Sequence, residues 1–170
     1  MKIPAFRKYL AVSPVWFFLF VICLSEACQM PSGAKYQKEV PITNAAWNYN
    51  FQPFFSINIK DTSARYQTYI LLRHDASYPF ANIWLRLWVK QPGDSAWSNG
   101  ERLDLRLADI SGSWLGKGMG SVWEHKIPLN KTQNLHFSKP GTYQVKVEQI
   151  MRDNPLAGIL NAGIIVEKIN

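Results

Sequence analysis

Cysteine is almost missing: the 170 residues hold two, Cys23 and Cys28, both near the N-terminus. That excludes a disulfide-stapled scaffold and any Cys-based zinc finger. The three histidines, His74, His125 and His136, follow no metal-ligand spacing and read as surface or strand-edge residues. Neither H-E-x-x-H nor G-x-S-x-G occurs, which removes the zinc-protease and nucleophile-elbow signatures. Internal repeats, low-complexity tracts and sustained helical periodicity are also lacking. The net charge is +7, yet no dense basic stripe exists, so nucleic acid is not an expected partner. What is abundant is apolar and aromatic: 47% hydrophobic and 14% aromatic residues exclude disorder. The length suits one domain.

The first segment reads as an export signal. Lys2, Arg7 and Lys8 precede an apolar run from Tyr9 to Leu24, which breaks into Ser25-Glu26-Ala27-Cys28. A positive n-region, an apolar h-region and a small residue at the break form the signal-peptide pattern. The run contains Pro14 and falls short of the about 20 residues a transmembrane helix needs. Ala27-Cys28 resembles a bacterial lipobox, in which the cysteine thiol is acylated and becomes the first mature residue. Ser25 and Glu26 depart from the commonest form of that motif, and Cys23 is the poorer candidate because Ile22 before it is bulky. Three acyl chains, at roughly 0.8 kcal/mol per buried methylene, make an effectively permanent anchor. Cleavage removes Lys2, Arg7, Lys8 and Glu26, three cations and one anion, lowering +7 to +5. The expected organisation is a signal peptide over 1–27, an acylated N-terminus and tether over 28–46, and a folded domain over 47–170.

From Trp47 the apolar period is two. Phe55, Ile57 and Ile59 alternate with Phe54, Ser56 and Asn58, Ile83 to Val89 with Trp84, Arg86, Trp88 and Lys90, and Leu103 to Leu107 and Tyr143 to Val147 with polar residues, while Leu160, Ala162, Ile164 and Val166 close the chain. Tyr66–Arg73 is a nearly continuous apolar run, Val122–Leu129 is a further strand candidate, and a short strand is expected over Glu39–Ile42. Val147–Arg152 is open to a short helical turn as well as to strand. Turn signals such as Gln91-Pro92-Gly93-Asp94, Ser111-Gly112-Ser113 and Lys139-Pro140-Gly141 separate the runs. Seven or eight short strands at this spacing predict an all-β antiparallel sandwich, jelly-roll or immunoglobulin-like.

Few residues offer chemistry. Asp104 and Asp109 could pair for acid–base work, but Asp104 sits on the polar face of its strand. The glycines of Gly116-Lys117-Gly118-Met119-Gly120 do not open a helix and fit no phosphate-loop pattern. They read as a backbone device: positive φ, or close packing beside Trp114. Trp84, Arg86 and Trp88 share one strand face and suggest a glycan platform; the competing reading is a face covered by a second layer. No catalytic residue, cofactor, metal or small-molecule substrate is expected, and the protein is read as a non-enzyme.

Three segments of the domain resemble the GldH family of gliding-motility lipoproteins of Bacteroidetes. The first is Trp47 to Trp84, with Asp61-Thr62 in a turn and Tyr78-Pro79-Phe80-Ala81-Asn82 before the next strand. The second is Gly112-Ser113-Trp114-Leu115-Gly116-Lys117-Gly118-Met119-Gly120 followed by Ile127-Pro128-Leu129. The third runs from Pro140-Gly141-Thr142-Tyr143 through Glu148-Gln149-Ile150-Met151-Arg152 to Gly163-Ile164-Ile165-Val166-Glu167-Lys168. The resemblance implies a lipid-anchored envelope protein, acylated at Cys28, that works with other gliding or secretion proteins. It implies no catalytic or cofactor residues. The residues after Cys28 lack the acidic cluster resembling a surface-export signal in that phylum, so a periplasm-facing location is expected. Asp94-Ser95-Ala96 looks like the phylum's O-glycosylation motif, although an unmodified turn is the simpler reading. The candidate partner-facing loop is Trp114, Leu115, Gly116, Lys117, Gly118 and Gly120, because loops on a rigid sandwich carry function.

Overall fold

Apolar and polar residues alternate because successive strand side chains point to opposite faces, and two sheets bury the apolar set between them. The computed structural model describes residues 35–169; the expected signal peptide and Cys28 lie outside the described residues. The strands are β1 (Lys35–Pro41), β2 (Ala46–Trp47), β3 (Phe54–Ile59), β4 (Arg65–Asp75), β5 (Asn82–Lys90) and β6 (Glu101–Arg106). They continue with β7 (Lys117–Met119), β8 (Val122–Pro128), β9 (Gly141–Gln149), β10 (Leu156–Ala157) and β11 (Ile159–Ile169). One sheet has the order β1-β11-β4-β8-β7 and the other β3-β9-β5-β6, while β2 pairs only with β10. All pairings are antiparallel.

The sandwich class holds, but the strand count is eleven rather than seven or eight. Strands β2, β7 and β10 have two or three residues each, too short to show a period. The short strand expected over Glu39–Ile42 is the end of β1, which starts at Lys35. β1 is an edge strand, so its mostly exposed polar residues hide the pattern. Val147–Arg152 forms no helical turn: β9 runs to Gln149. The buried Gln149 side chain then fixes the bend, donating from Nε2 to Trp47 O (3.2 Å) and Asp153 O (3.3 Å) and accepting from Met151 N–H (2.9 Å).

The core has one contribution from each sheet. Ile70, Leu72, Ile164 and Val166 of the five-stranded sheet meet Phe55, Ile57, Leu85 and Val145 of the other, with Trp47 fully buried among them. Full burial of each such side chain is worth roughly 1.5–3 kcal/mol. The continuous run in β4 has a direct cause. It is the central strand, and Leu71 is buried on the face opposite Ile70 and Leu72.

Strict antiparallel pairing sorts the connections into two ends. The proximal end, where the chain comes in at Lys35, holds the turn 60–64 and the loops 91–100 and 129–140. The distal end holds 42–53, 76–81, 107–116, 120–121 and 150–158. β4 spans the distance between them, about 33 Å at 3.3 Å per residue.

Candidate functional site

The distal loop between β6 and β7 is built by hydrogen bonds rather than left open. Ala108 forms an isolated antiparallel bridge with Trp114, and Leu107 O accepts from Leu115 N–H at 2.8 Å. At its tip, Asp109 Oδ1 accepts from Ser111 N–H (2.8 Å), Ser113 N–H (3.0 Å) and the Ser111 hydroxyl (2.7 Å). These bonds favour the charged form and hold the Asp109 carboxyl below the usual carboxylate range. Gly112, at φ +84°, supplies the left-handed residue that closes the turn.

The glycine segment splits into two roles. A Cβ on Gly116 would stand 2.7 Å from Glu124 O and 2.8 Å from the His125 ring, so the missing side chain lets the backbone lie on β8. Lys117–Met119 then pairs with β8 as the edge strand β7, where the sequence reading expected loop. Gly120, at φ +63°, turns the chain into β8.

Trp114 faces inward. Its ring centre is 4.3 Å from that of His74, edge-on, and 5.8 Å from that of Trp123. Packed there, half-buried, it anchors the loop. What the loop presents is aliphatic: Ile110 is 100% exposed, Leu115 58% and Met119 63%. Beside Leu115, Arg106, Lys117, Lys126 and Glu124 border a recess of about 370 Å³ floored by Gly116 and His125.

Beneath the loop, two of the three histidines are buried, a correction to their reading as surface or strand-edge residues. His74 Nδ1–H donates to Asp75 O (2.9 Å), which leaves His74 Nε2 to accept from His125 Nε2–H (3.0 Å). That network assigns both rings as neutral. Burial lowers the pKa of each; His125, also repelled by His74, is pushed down to about 4. The signal was available in parity: His74 shares the inward face of β4 with Thr68, Ile70 and Leu72, and His125 pairs with Leu72. His136 is exposed. Among the described residues, no group of three His, Cys, Asp or Glu side chains could hold a metal ion.

Trp84, Arg86 and Trp88 lie half-buried on the outer face of the four-stranded sheet. Their ring faces carry cations: Arg102 over Trp84 at 4.8 Å, and Lys146 over Trp88 at 5.1 Å and Trp97 at 4.9 Å. Trp88 Nε1–H and Arg86 both reach Glu148, at 3.2 and 3.5 Å. Asp104 and Asp109 line one recess of about 420 Å³. Asp104 accepts from the Asn82 amide at 2.7 Å, and Asp109 is occupied by its own turn. Ser95 lies exposed in the proximal loop 91–100.

Comparison with known proteins adds four findings. The profile of a family described as GldH lipoprotein matches residues 34–166. A "Gliding motility lipoprotein GldH homolog" of Christiangramia forsetii is 28% identical over 161 residues, covering 91% of this chain and 94% of that protein. The "Gliding motility lipoprotein GldH" of Flavobacterium johnsoniae is 25% identical over 137 residues, covering 76% and 82%. Among solved structures, a Yersinia pseudotuberculosis-derived mitogen is similar at a TM-score of 0.32 and 12% identity, over 83% of this chain and 88% of that one.

Proposed function

The chain belongs to the GldH lipoprotein family, and from that premise we propose that it is a membrane-anchored envelope component of gliding motility and its associated secretion machinery. Residues 1–27 are cleaved, Cys28 carries the lipid, and the domain faces the periplasm. It acts by binding another envelope protein and not by catalysis. The observation that supports this reading is that three large apolar side chains, Ile110, Leu115 and Met119, are exposed within one segment, 110–119. Exposed apolar surface rimmed by polar residues marks interaction sites, and Leu115 borders a recess that Arg106, Lys117, Lys126 and Glu124 also line. The loop 107–116 that carries Ile110 and Leu115 lies at the opposite end of the strands from Lys35.

The glycan alternative on Trp84 and Trp88 has less support. A sugar ring stacks on an open aromatic face, and Arg102 and Lys146 already occupy those faces. The test is the triple variant Ile110→Ser/Leu115→Ser/Met119→Ser, co-purified from cells after membrane solubilisation. As surface changes, the three substitutions should each alter stability by less than about 0.5 kcal/mol. Loss of gliding-machinery proteins from the purified complex is expected; an unchanged complex would exclude the patch.

A further inference from the structure

We propose that the proximal end of the sandwich is a seat for an anionic membrane surface, fixing the domain upright on the bilayer. This goes beyond the lipid anchor of the preceding section and rests on it. Charge is unevenly divided between the two ends. The loops and strand ends of the distal end carry three carboxylates, Asp75, Asp109 and Asp153, and three cations, Arg106, Lys117 and Arg152. At the proximal end, Lys60, Lys131 and Lys139 are exposed in the connections and form no salt bridge among the described residues. Lys90 adds a fourth cation where β5 ends.

The carboxylates nearby are partly spent. Asp61 is held by Lys168 at 2.7 Å, and Glu167 lies between Lys126 at 2.8 Å and Lys35 at 3.6 Å. Asp94 and Glu101 are the other two at this end. With Lys35, Arg65 and Lys168 counted, seven cations face four carboxylates.

The lysines stand on a firm platform. Asn134 ties the loop 129–140 onto β4, its Oδ1 accepting from Thr68 N–H (2.8 Å) and its Nδ2 donating to Tyr66 O (2.7 Å). Phe137 packs edge-on against Tyr66 and Tyr143 at 5.2 and 4.9 Å. Ile59 pairs with Gly141, which brings Lys60 and Lys139 to the same rim.

The occupant follows from where the chain comes in. From Cys28 to Lys35 the backbone reaches at most about 25 Å, so the lipid holds this end close to the headgroups. Each lysine near an anionic leaflet is worth roughly a five-fold shift in the equilibrium. Tethering supplies proximity, and phosphate-bearing headgroups supply the complementary charge.

The test uses the lipidated chain in phosphatidylcholine vesicles with and without phosphatidylglycerol. An environment-sensitive dye is placed through Ser138→Cys at the proximal end or Ser111→Cys at the distal end, and quenching by a spin-labelled headgroup is read. With phosphatidylglycerol, the dye at 138 should be quenched far more than the dye at 111. The difference should vanish in 1 M salt, where the Debye length is about 3 Å. Lys131→Gln/Lys139→Gln should lower the equilibrium constant for seating by roughly 25-fold, while Arg152→Gln at the distal end should leave it unchanged. Equal quenching at both positions, or quenching indifferent to phosphatidylglycerol and salt, would overturn the proposal. Flotation with neutral vesicles separately reads the anchor. If the chain does not float, the same lysine- and salt-dependence is read as co-sedimentation with phosphatidylglycerol vesicles, and its absence overturns the seat.

Discussion

Acid should weaken this protein through the His74–His125 pair well before its carboxylates titrate. Both rings are held neutral in the fold, so unfolding takes up protons. Stability from the pair is therefore complete above the unfolded histidine value near 6.5 and is lost as pH falls towards about 4. For His125 alone, linkage between those two values gives a loss of about 2 kcal/mol from pH 7 to pH 5. His74 adds in the same direction. The lowered carboxyls of Asp61, Asp109 and Glu167 act only further down, because their unfolded values already lie near 4. The assay is urea unfolding of the wild type and of His74→Gln/His125→Gln at both pH values. Two amides can still bond but do not titrate, so the readout is the pH slope and not the starting stability. The slope should flatten in the double variant; if that variant does not fold, His125→Gln should flatten it in part. Equal slopes in the variant and the wild type would refute the reasoning. Amide exchange at Gly116, which lies on the His125 ring, should quicken over the same pH range relative to the core strands.

Two further outcomes test separate parts of the structure. Gly158→Ala should cost about 3 kcal/mol, since φ is +82° and the new Cβ would stand 2.4 Å from Tyr78 N; a midpoint equal to wild type in urea would contradict the packing. Cys28→Ser should leave an unprocessed precursor that takes up no labelled fatty acid, and continued labelling would contradict lipid attachment there.

The sequence read best where burial is periodic. Phe55, Ile57 and Ile59 alternate because β3 has one buried face, and the β4 run is continuous because that strand is covered on both. It read poorly where burial depends on distant partners. The Trp84 face was visible as an i, i+2, i+4 pattern, but the cations capping it come from β6 and β9. Lys35–Pro41 was partly hidden because an edge strand keeps polar residues on its open side. In the loop, Trp114 stood out by residue type and proved to be an anchor, whereas Ile110, Leu115 and Met119 follow no period that would mark them as exposed. The histidine pair is legible in parity, since His74 shares the inward face of β4 with Ile70 and Leu72 and His125 pairs with Leu72.

The binding role of the distal segment is tested most directly by photo-crosslinking in living cells, with a photoreactive side chain at Leu115 and, as comparison, at Ser138. Leu115 is expected to give an adduct with an envelope protein of the gliding or secretion machinery, and Ser138, at the proximal end, none. No adduct at Leu115, or the same protein captured equally from both positions, would contradict a partner-binding role for the segment from Ile110 to Met119.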